Sequence, residues 1–290
     1  MMRLVLFGSG SPMSTRALDA LAARHTIVAV VVPGGLGPRW RGWRRAWARR
    51  RAARPLAAAA RARGLRLLRF HPRSAPGLGE ELRRLDVDLA CVATFPHLLP
   101  AALLAAPRQG AIGLHPALLP RHRGPDPLFW TAHAGDAETG VSVLWLDAGE
   151  DTGDLVLQER LPVERGRAGH ALYLDLAGRG ARLLAAAVDQ IAAGTAARLP
   201  QDEALATREP APSADTCRID PAAWSAEALW HFLRLVGPAR SFVTTPDGRP
   251  LWGSAVTWHA GAAAPPGTME RVATGWRLHC RDGWVEVSAR

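Results

Sequence analysis

Short, almost wholly apolar runs, recurring between helix-patterned stretches, constrain this chain more than any other feature. Leu4-Val5-Leu6-Phe7, Ile27-Val28-Ala29-Val30-Val31-Val32 and Leu89-Ala90-Cys91-Val92-Ala93 show no polar alternation. A strand of that kind is buried on both faces, which requires helices on either side and crossover connections between parallel neighbours. The pattern predicts strands over 2–8, 26–33, 65–70, 87–94, 141–146 and 155–157, and another through Gly110-Ala111-Ile112. Helices are predicted over 15–24, 55–63, 79–85 and 171–193. Alternation of strand and helix at these lengths is the signature of an α/β fold with a mostly parallel sheet.

The pattern changes near Pro200. Arg208-Glu209-Pro210-Ala211-Pro212-Ser213 has the prolines and small polar residues of a linker, so the expected division is a first domain over 1–200, a linker over 201–215 and a second domain over 216–290. A helix over 225–235 then precedes short strands around 241–245, 251–258, 268–272, 276–280 and 284–288, with Asp247-Gly248 and Asp282-Gly283 as hairpin turns. About 75 residues of such strands suit a small, OB-like β-barrel. No internal repeat is visible.

Composition narrows the setting. No run of 18 apolar residues occurs, so no membrane-spanning helix is expected. The apolar stretch before Gly8 is too short for a secretion signal. Cys91, Cys217 and Cys280 match no CxxC or zinc spacing, which points to free thiols in a reducing cytoplasm and to no metal site. Net charge is +10, and all 36 basic residues are arginine; neither lysine nor asparagine occurs. Both missing residues have A-rich codons, so a GC-rich genome accounts for the arginine bias.

Half of the sixteen residues from Arg39 to Arg54 are arginine, and Trp40, Trp43 and Trp47 share one face of a helix at that spacing. Three readings stand: a solvated basic face with the tryptophans packed inward, contact with a nucleic-acid backbone with tryptophan stacking, or adsorption to an anionic membrane or other partner. Gly8-Ser9-Gly10-Ser11-Pro12 forms the first strand-to-helix turn and lacks the third glycine of a dinucleotide fingerprint, Met13 standing there.

Candidate chemistry gathers between Ile112 and Asp154. His115 stands where an apolar strand runs out into a loop, the edge of an α/β sheet at which ligands bind. Asp147-Ala148-Gly149-Glu150-Asp151-Thr152-Gly153-Asp154 is an acidic loop between two further apolar runs. It fails as an EF-hand, with Gly149 at the third position and Thr152 at the sixth. One imidazole and a carboxylate on neighbouring strand ends suit proton transfer.

The run Gly110-Ala111-Ile112-Gly113-Leu114-His115-Pro116-Ala117-Leu118-Leu119-Pro120-Arg121-His122-Arg123-Gly124, with Gly135-Asp136-Ala137-Glu138-Thr139-Gly140-Val141 and the acidic loop, resembles the 10-formyltetrahydrofolate-dependent formyltransferase family. The family pattern is Asn-x-His, then Ser-Leu-Leu-Pro-x-x-Arg-Gly, then Asp-x-Gly-x-Asp-Thr-Gly. The resemblance covers nearly the whole chain, and within the family the two-domain layout is most similar to the methionyl-tRNA formyltransferases. It implies a Rossmann-like catalytic domain and an OB-like C-terminal domain that helps hold tRNA, here short and ending at Arg290. It implies His115 and Asp151 as catalytic residues, with an oxyanion developing when an amine attacks the formyl carbon. It places 10-formyltetrahydrofolate against Phe95, Pro96, His97, Leu98 and Leu99 and against Asp147, Gly149 and Glu150, largely through backbone groups. It puts Arg39, Arg41, Arg44, Arg45, Arg49 and Arg50 in a basic insertion that approaches the tRNA acceptor end.

Two positions depart from the pattern. Gly113 stands where the family has its catalytic asparagine, and Ala117 where it usually has serine. Losing one oxyanion donor typically costs roughly a hundredfold to a thousandfold in rate. The sequence leaves open a slow enzyme, an enzyme whose donor comes from elsewhere, with Thr94 and His97 as candidates, and a binding relic without turnover. The acceptor stays open too, between methionyl-tRNA and a small amine such as an amino sugar or a hydroxyornithine-like precursor.

Overall fold

A computed structural model describes residues 1–34, 53–237 and 240–289. Arg39, Arg41, Arg44, Arg45, Arg49 and Arg50 lie outside the described residues. The chain divides into two compact units. The first comprises Met1–Gly124, Gly140–Arg160 and Leu174–Arg208, and the second Pro125–Thr139, Leu161–Tyr173 and Glu209–Arg290.

The first unit is built on a sheet of β1 (Arg3–Gly8), β2 (Thr26–Pro33), β3 (Arg66–Phe70), β4 (Leu89–Ala93), β5 (Ala111–His115), β6 (Glu138–Trp145) and β7 (Leu155–Pro162), in the order β3-β2-β1-β4-β5-β6-β7. From β3 to β5 every pairing is parallel, as the unbroken apolar runs require, and Leu4, Val5, Leu6 and Phe7 are fully buried. β6 runs antiparallel to β5 and begins three residues earlier than the apolar pattern indicates. The order reverses between β1 and β4, so the crevice outside their carboxyl ends is a topological switch point.

Helix α1 (Pro12–Ala22) starts earlier than its leucines suggest, because Ser11 caps it by accepting from Ser14 N–H at 3.2 Å and Pro12 suits the first turn. The chain bends at Gly10 and Ser11 just before it. Helices α2 (Arg54–Ala62), α3 (Ala75–Arg84) and the single turn α4 (Ala101–Leu104) follow, each burying its leucines. Among the described residues no helix is long and apolar enough to cross a membrane.

In the second unit, α5 (Pro127–Ala134) is a short helix that the sequence pattern did not reveal. Its Phe129 packs edge-on against Phe232 at 5.7 Å. The long α6 (Gly169–Ala193) begins two residues before the expected start, and from Leu174 onward its residues belong to the first unit. Beyond α7 (Ala214–Cys217) and the β8 strand (Arg218–Ile219), α8 (Ala226–Val236) is capped by Ser225 and buries Leu229, Phe232 and Leu233. The strands β9 (Phe242–Thr244) and β10 (Pro250–Leu251) join β8 in one small sheet. β11 (Gly253–Ala260), β12 (Met269–Val272), β13 (Gly275–His279) and β14 (Gly283–Ala289) form an antiparallel second in the order β11-β14-β13-β12. Both aspartate-glycine hairpins are where the sequence puts them. Among the described residues these strands pair as two sheets, and ring closure is not part of the pairing.

Candidate functional site

His115 is the last residue of β5, and its ring is buried, with 6% of the residue exposed. Its Nε2 lies 2.9 Å from the His122 carbonyl oxygen, which can only accept, so Nε2 carries a proton. Its Nδ1 lies 3.5 Å from Asp151 Oδ2. Both ring nitrogens therefore face oxygen acceptors, an arrangement that accommodates an imidazolium. The same Asp151 oxygen accepts a hydrogen bond from Gly124 N–H at 2.9 Å, which ties the acidic loop to the segment after β5.

The spacing of the acidic loop has a physical basis. Asp147 Oδ1 accepts from Gly149 N–H at 2.9 Å and from the Thr152 hydroxyl at 2.8 Å, folding the loop over its own carboxylate. Asp151 takes a left-handed backbone, φ 59°, which aspartate tolerates better than most residues. Gly153 passes so close to Trp145 that a β-carbon there would stand 1.8 Å from the Trp145 carbonyl oxygen, so only glycine fits. Glu150 pairs with Arg208 at 2.7 Å. Asp147 and Glu150 thus have partners inside the protein, and Gly149 contributes its N–H to the loop itself.

Gly113 lies two residues before His115, paired with Val92 on one side and Leu144 on the other. A β-carbon here would stand 2.7 Å from Leu146 Cδ2 and 3.5 Å from Leu144 Cδ2. Leu146 thus occupies the space next to the backbone into which a side chain at position 113 would project. Ala117 is fully buried. The turn around it is held by Ser142, whose hydroxyl donates to Ala117 O at 2.6 Å and accepts from Leu119 N–H at 3.2 Å. Gln158 Nε2 donates to both the Leu119 carbonyl and the Ser142 hydroxyl, each at 2.9 Å.

Thr94, at the end of β4, holds φ at 54°, unusual for a β-branched residue and a sign of local constraint. Its hydroxyl lies 2.6 Å from that of Ser11, 2.8 Å from Ser14 and 3.2 Å from Ser9, forming a cluster at the switch point between β1 and β4. His97 packs its ring against Phe70 at 5.3 Å and Phe95 at 5.8 Å, in the direction of β3. Leu98 is 63% exposed on the same loop, Leu99 is buried and Pro96 is exposed.

Some residues of the site were not identified from sequence. His122 also adopts a left-handed backbone, and its N–H donates to the Thr207 hydroxyl at 2.8 Å. Arg123 is 5% exposed and bonds to Gln201 and Glu203; the Glu203 hydrogen bond holds its guanidinium pKa above the ordinary range. Gln201, Glu203 and Thr207 fall in the stretch read as a linker, where no local pattern distinguishes them. Among the described residues no group of three or more histidines, cysteines or carboxylates could hold a metal.

Residues 2–188 match the sequence profile of the family described as formyl transferase. The methionyl-tRNA formyltransferase of Moorella thermoacetica is 36% identical over 209 residues, 72% of this chain and 65% of that protein. That of Citrifermentans bemidjiense is 31% identical over 289 residues, 99% of this chain and 88% of that protein. In fold, the chain is similar to an N-formyltransferase from Helicobacter canadensis, solved with folinic acid and dTDP-3-aminofucose: TM-score 0.71, 14% identity, 100% of this chain and 99% of that one.

Proposed function

The chain belongs to the formyl transferase family, and from that premise we propose that it transfers a formyl group from 10-formyltetrahydrofolate to the amino group of methionyl-tRNA. The observation that carries the reading is the His115–Asp151 pair, with Nδ1 and Oδ2 3.5 Å apart at the end of a sheet strand and Asp151 anchored by Gly124 N–H.

The donor supplies an activated formyl carbon. His115 is the group that donates a proton toward the oxygen on which negative charge develops, Nε2 exchanging the His122 carbonyl for the substrate oxygen. Asp151 would hold His115 in the imidazolium form that donates, and would take the proton the amine loses as its bond to the formyl carbon forms. The bond between the formyl carbon and the donor nitrogen then breaks, and that proton passes to the departing tetrahydrofolate nitrogen. At Gly113 only the backbone is available. Thr94 is the candidate for the missing donor, since it follows Ala93, which pairs with Leu114 beside His115. His97, turned toward Phe70, is less well placed.

The folate would lie against Phe95, Pro96, His97, Leu98 and Leu99 and the loop carrying Asp147, Gly149 and Glu150. The exposure of Leu98 supports this, because a planar heterocycle would cover that apolar side chain. With Asp147 and Glu150 engaged internally, their loop would serve mainly through its backbone. The two small sheets of the second unit would take the part of the expected OB-like domain in holding tRNA, and Arg39, Arg41, Arg44, Arg45, Arg49 and Arg50 would meet RNA phosphates. The rival acceptor is a small amine such as an amino sugar, favoured by the full-length fold similarity to the Helicobacter canadensis enzyme. Incubation with labelled donor and either charged initiator tRNA or amino sugars separates the two. Label on the sugar alone overturns the tRNA assignment.

A further inference from the structure

We propose that Gln201 is a positioning residue for the transfer reaction, acting through Asp151; this rests on the reading of His115 and Asp151 as the reacting pair. Its side-chain amide makes contacts on both sides. Nε2 donates to the Asp151 carbonyl at 2.8 Å and to the Gly153 carbonyl at 2.7 Å. Oε1 accepts from Arg123 Nε at 3.1 Å and from a terminal Arg123 nitrogen at 2.9 Å. Arg123 completes its set with the two Glu203 carboxylate oxygens, at 2.9 and 2.6 Å.

The geometry joins the two halves of the site. Arg123 lies between His122, whose carbonyl faces His115 Nε2, and Gly124, whose N–H holds Asp151 Oδ2. One amide therefore fixes the backbone of Asp151 while gripping the residue between the two contacts that orient the catalytic side chains. Only an amide does both, since it donates twice on one side and accepts on the other. The backbone reinforces the clasp: Arg123 N–H donates to Thr207 O at 3.0 Å and Thr207 N–H to Pro120 O at 3.2 Å. The segment 201–207 thereby acts as a strap across both active-site loops. The strap also explains how Asp151 keeps a left-handed backbone without a glycine: its carbonyl and its carboxylate are each held from a different side.

Two near-isosteric variants test this. Gln201→Met removes every polar contact, and Gln201→Glu keeps an acceptor for Arg123 but faces two carbonyls with an oxygen. Each is measured for thermal unfolding, folinic acid binding, kcat and KM with methionyl-tRNA, and amide exchange over 122–124 and 147–154. Displacements of about an ångström cost roughly a hundredfold in rate, so kcat falls by about that factor while the KM for methionyl-tRNA stays near wild type. Exchange rises in those two segments and the folded fraction is unchanged. An unchanged kcat in an active background, or a loss of kcat matched by loss of folded protein, overturns the proposal. If wild-type protein transfers no formyl group to methionyl-tRNA, the acceptor assignment has failed and the exchange measurement decides. Faster exchange of 147–154 then supports the bridge, and unchanged exchange overturns it.

Discussion

Leu146 stands in the space that a side chain at Gly113 would enter, its Cδ2 2.7 Å from the β-carbon position. The obstacle is the end of a rotatable side chain, so Gly113→Asn is accommodated by movement of Leu146, at about 1–3 kcal/mol of stability. The variant is expected to transfer formyl faster than wild type, toward the roughly hundredfold that an oxyanion donor supplies. Combining it with Leu146→Ala, which clears the space, should raise kcat further. Single-turnover rates of the three proteins check this; equal rates in folded variants mean that another group already fills the role.

Asp151→Asn removes a charge while preserving the loop. Asparagine also tolerates the left-handed backbone, and its carbonyl oxygen can accept from Gly124 N–H as Oδ2 does. Loss of a general acid or base typically costs about a hundredfold to ten-thousandfold, so kcat is expected to fall in that range with the KM for the donor little changed. Steady-state kinetics that leave kcat intact would remove Asp151 from the mechanism.

The sequence already contained the frame of this site and lacked its fastenings. The apolar runs located β1, β2, β4 and β5, and the motif spacing brought His115 and the acidic loop forward, because both signals are local. Leu146 filling the space beside Gly113 depends on β5 and β6 lying antiparallel, which no neighbouring residue announces. Gln201 and Thr207 sit among prolines and charges that read as a linker, and their roles appear only once residues about 50 and 85 positions away are brought against them. Helix α5 escaped notice because eight residues starting at a proline carry too little periodicity.

His231 should lower the stability of the second unit in acid. It is 1% exposed, and burial pushes its pKa below the ordinary value of 6.5, with the positive charge of Arg165 adding to the effect and Glu227 opposing it. The unfolded chain takes up a proton at this position before the folded one does. The His231 contribution is thus fully present above pH 6.5 and declines as pH falls below it toward the lowered folded value. The unfolding midpoint should drop between about pH 7 and 5. His231→Gln retains an acceptor for Gly166 N–H, now held by Nδ1 at 3.0 Å, and should flatten that dependence. Calorimetry at several pH values that gives equal slopes for both proteins contradicts this.

Neutralising Arg44, Arg45, Arg49 and Arg50 should weaken RNA binding and flatten its salt dependence. Each phosphate contact contributes about 0.7 to 0.9 to the logarithmic slope, so losing four flattens it by roughly three. Titrations over a range of salt concentrations check this, and an unaltered slope assigns the basic run to another role.

The most direct measurement is transfer of label from 10-formyltetrahydrofolate to methionyl-initiator tRNA by wild-type protein, beside His115→Ala. Label on the amino group of the methionine with wild-type protein, and its near absence with the variant, is the predicted result. No labelled tRNA from folded, folate-binding wild-type protein, or equal labelling by both proteins, would contradict it.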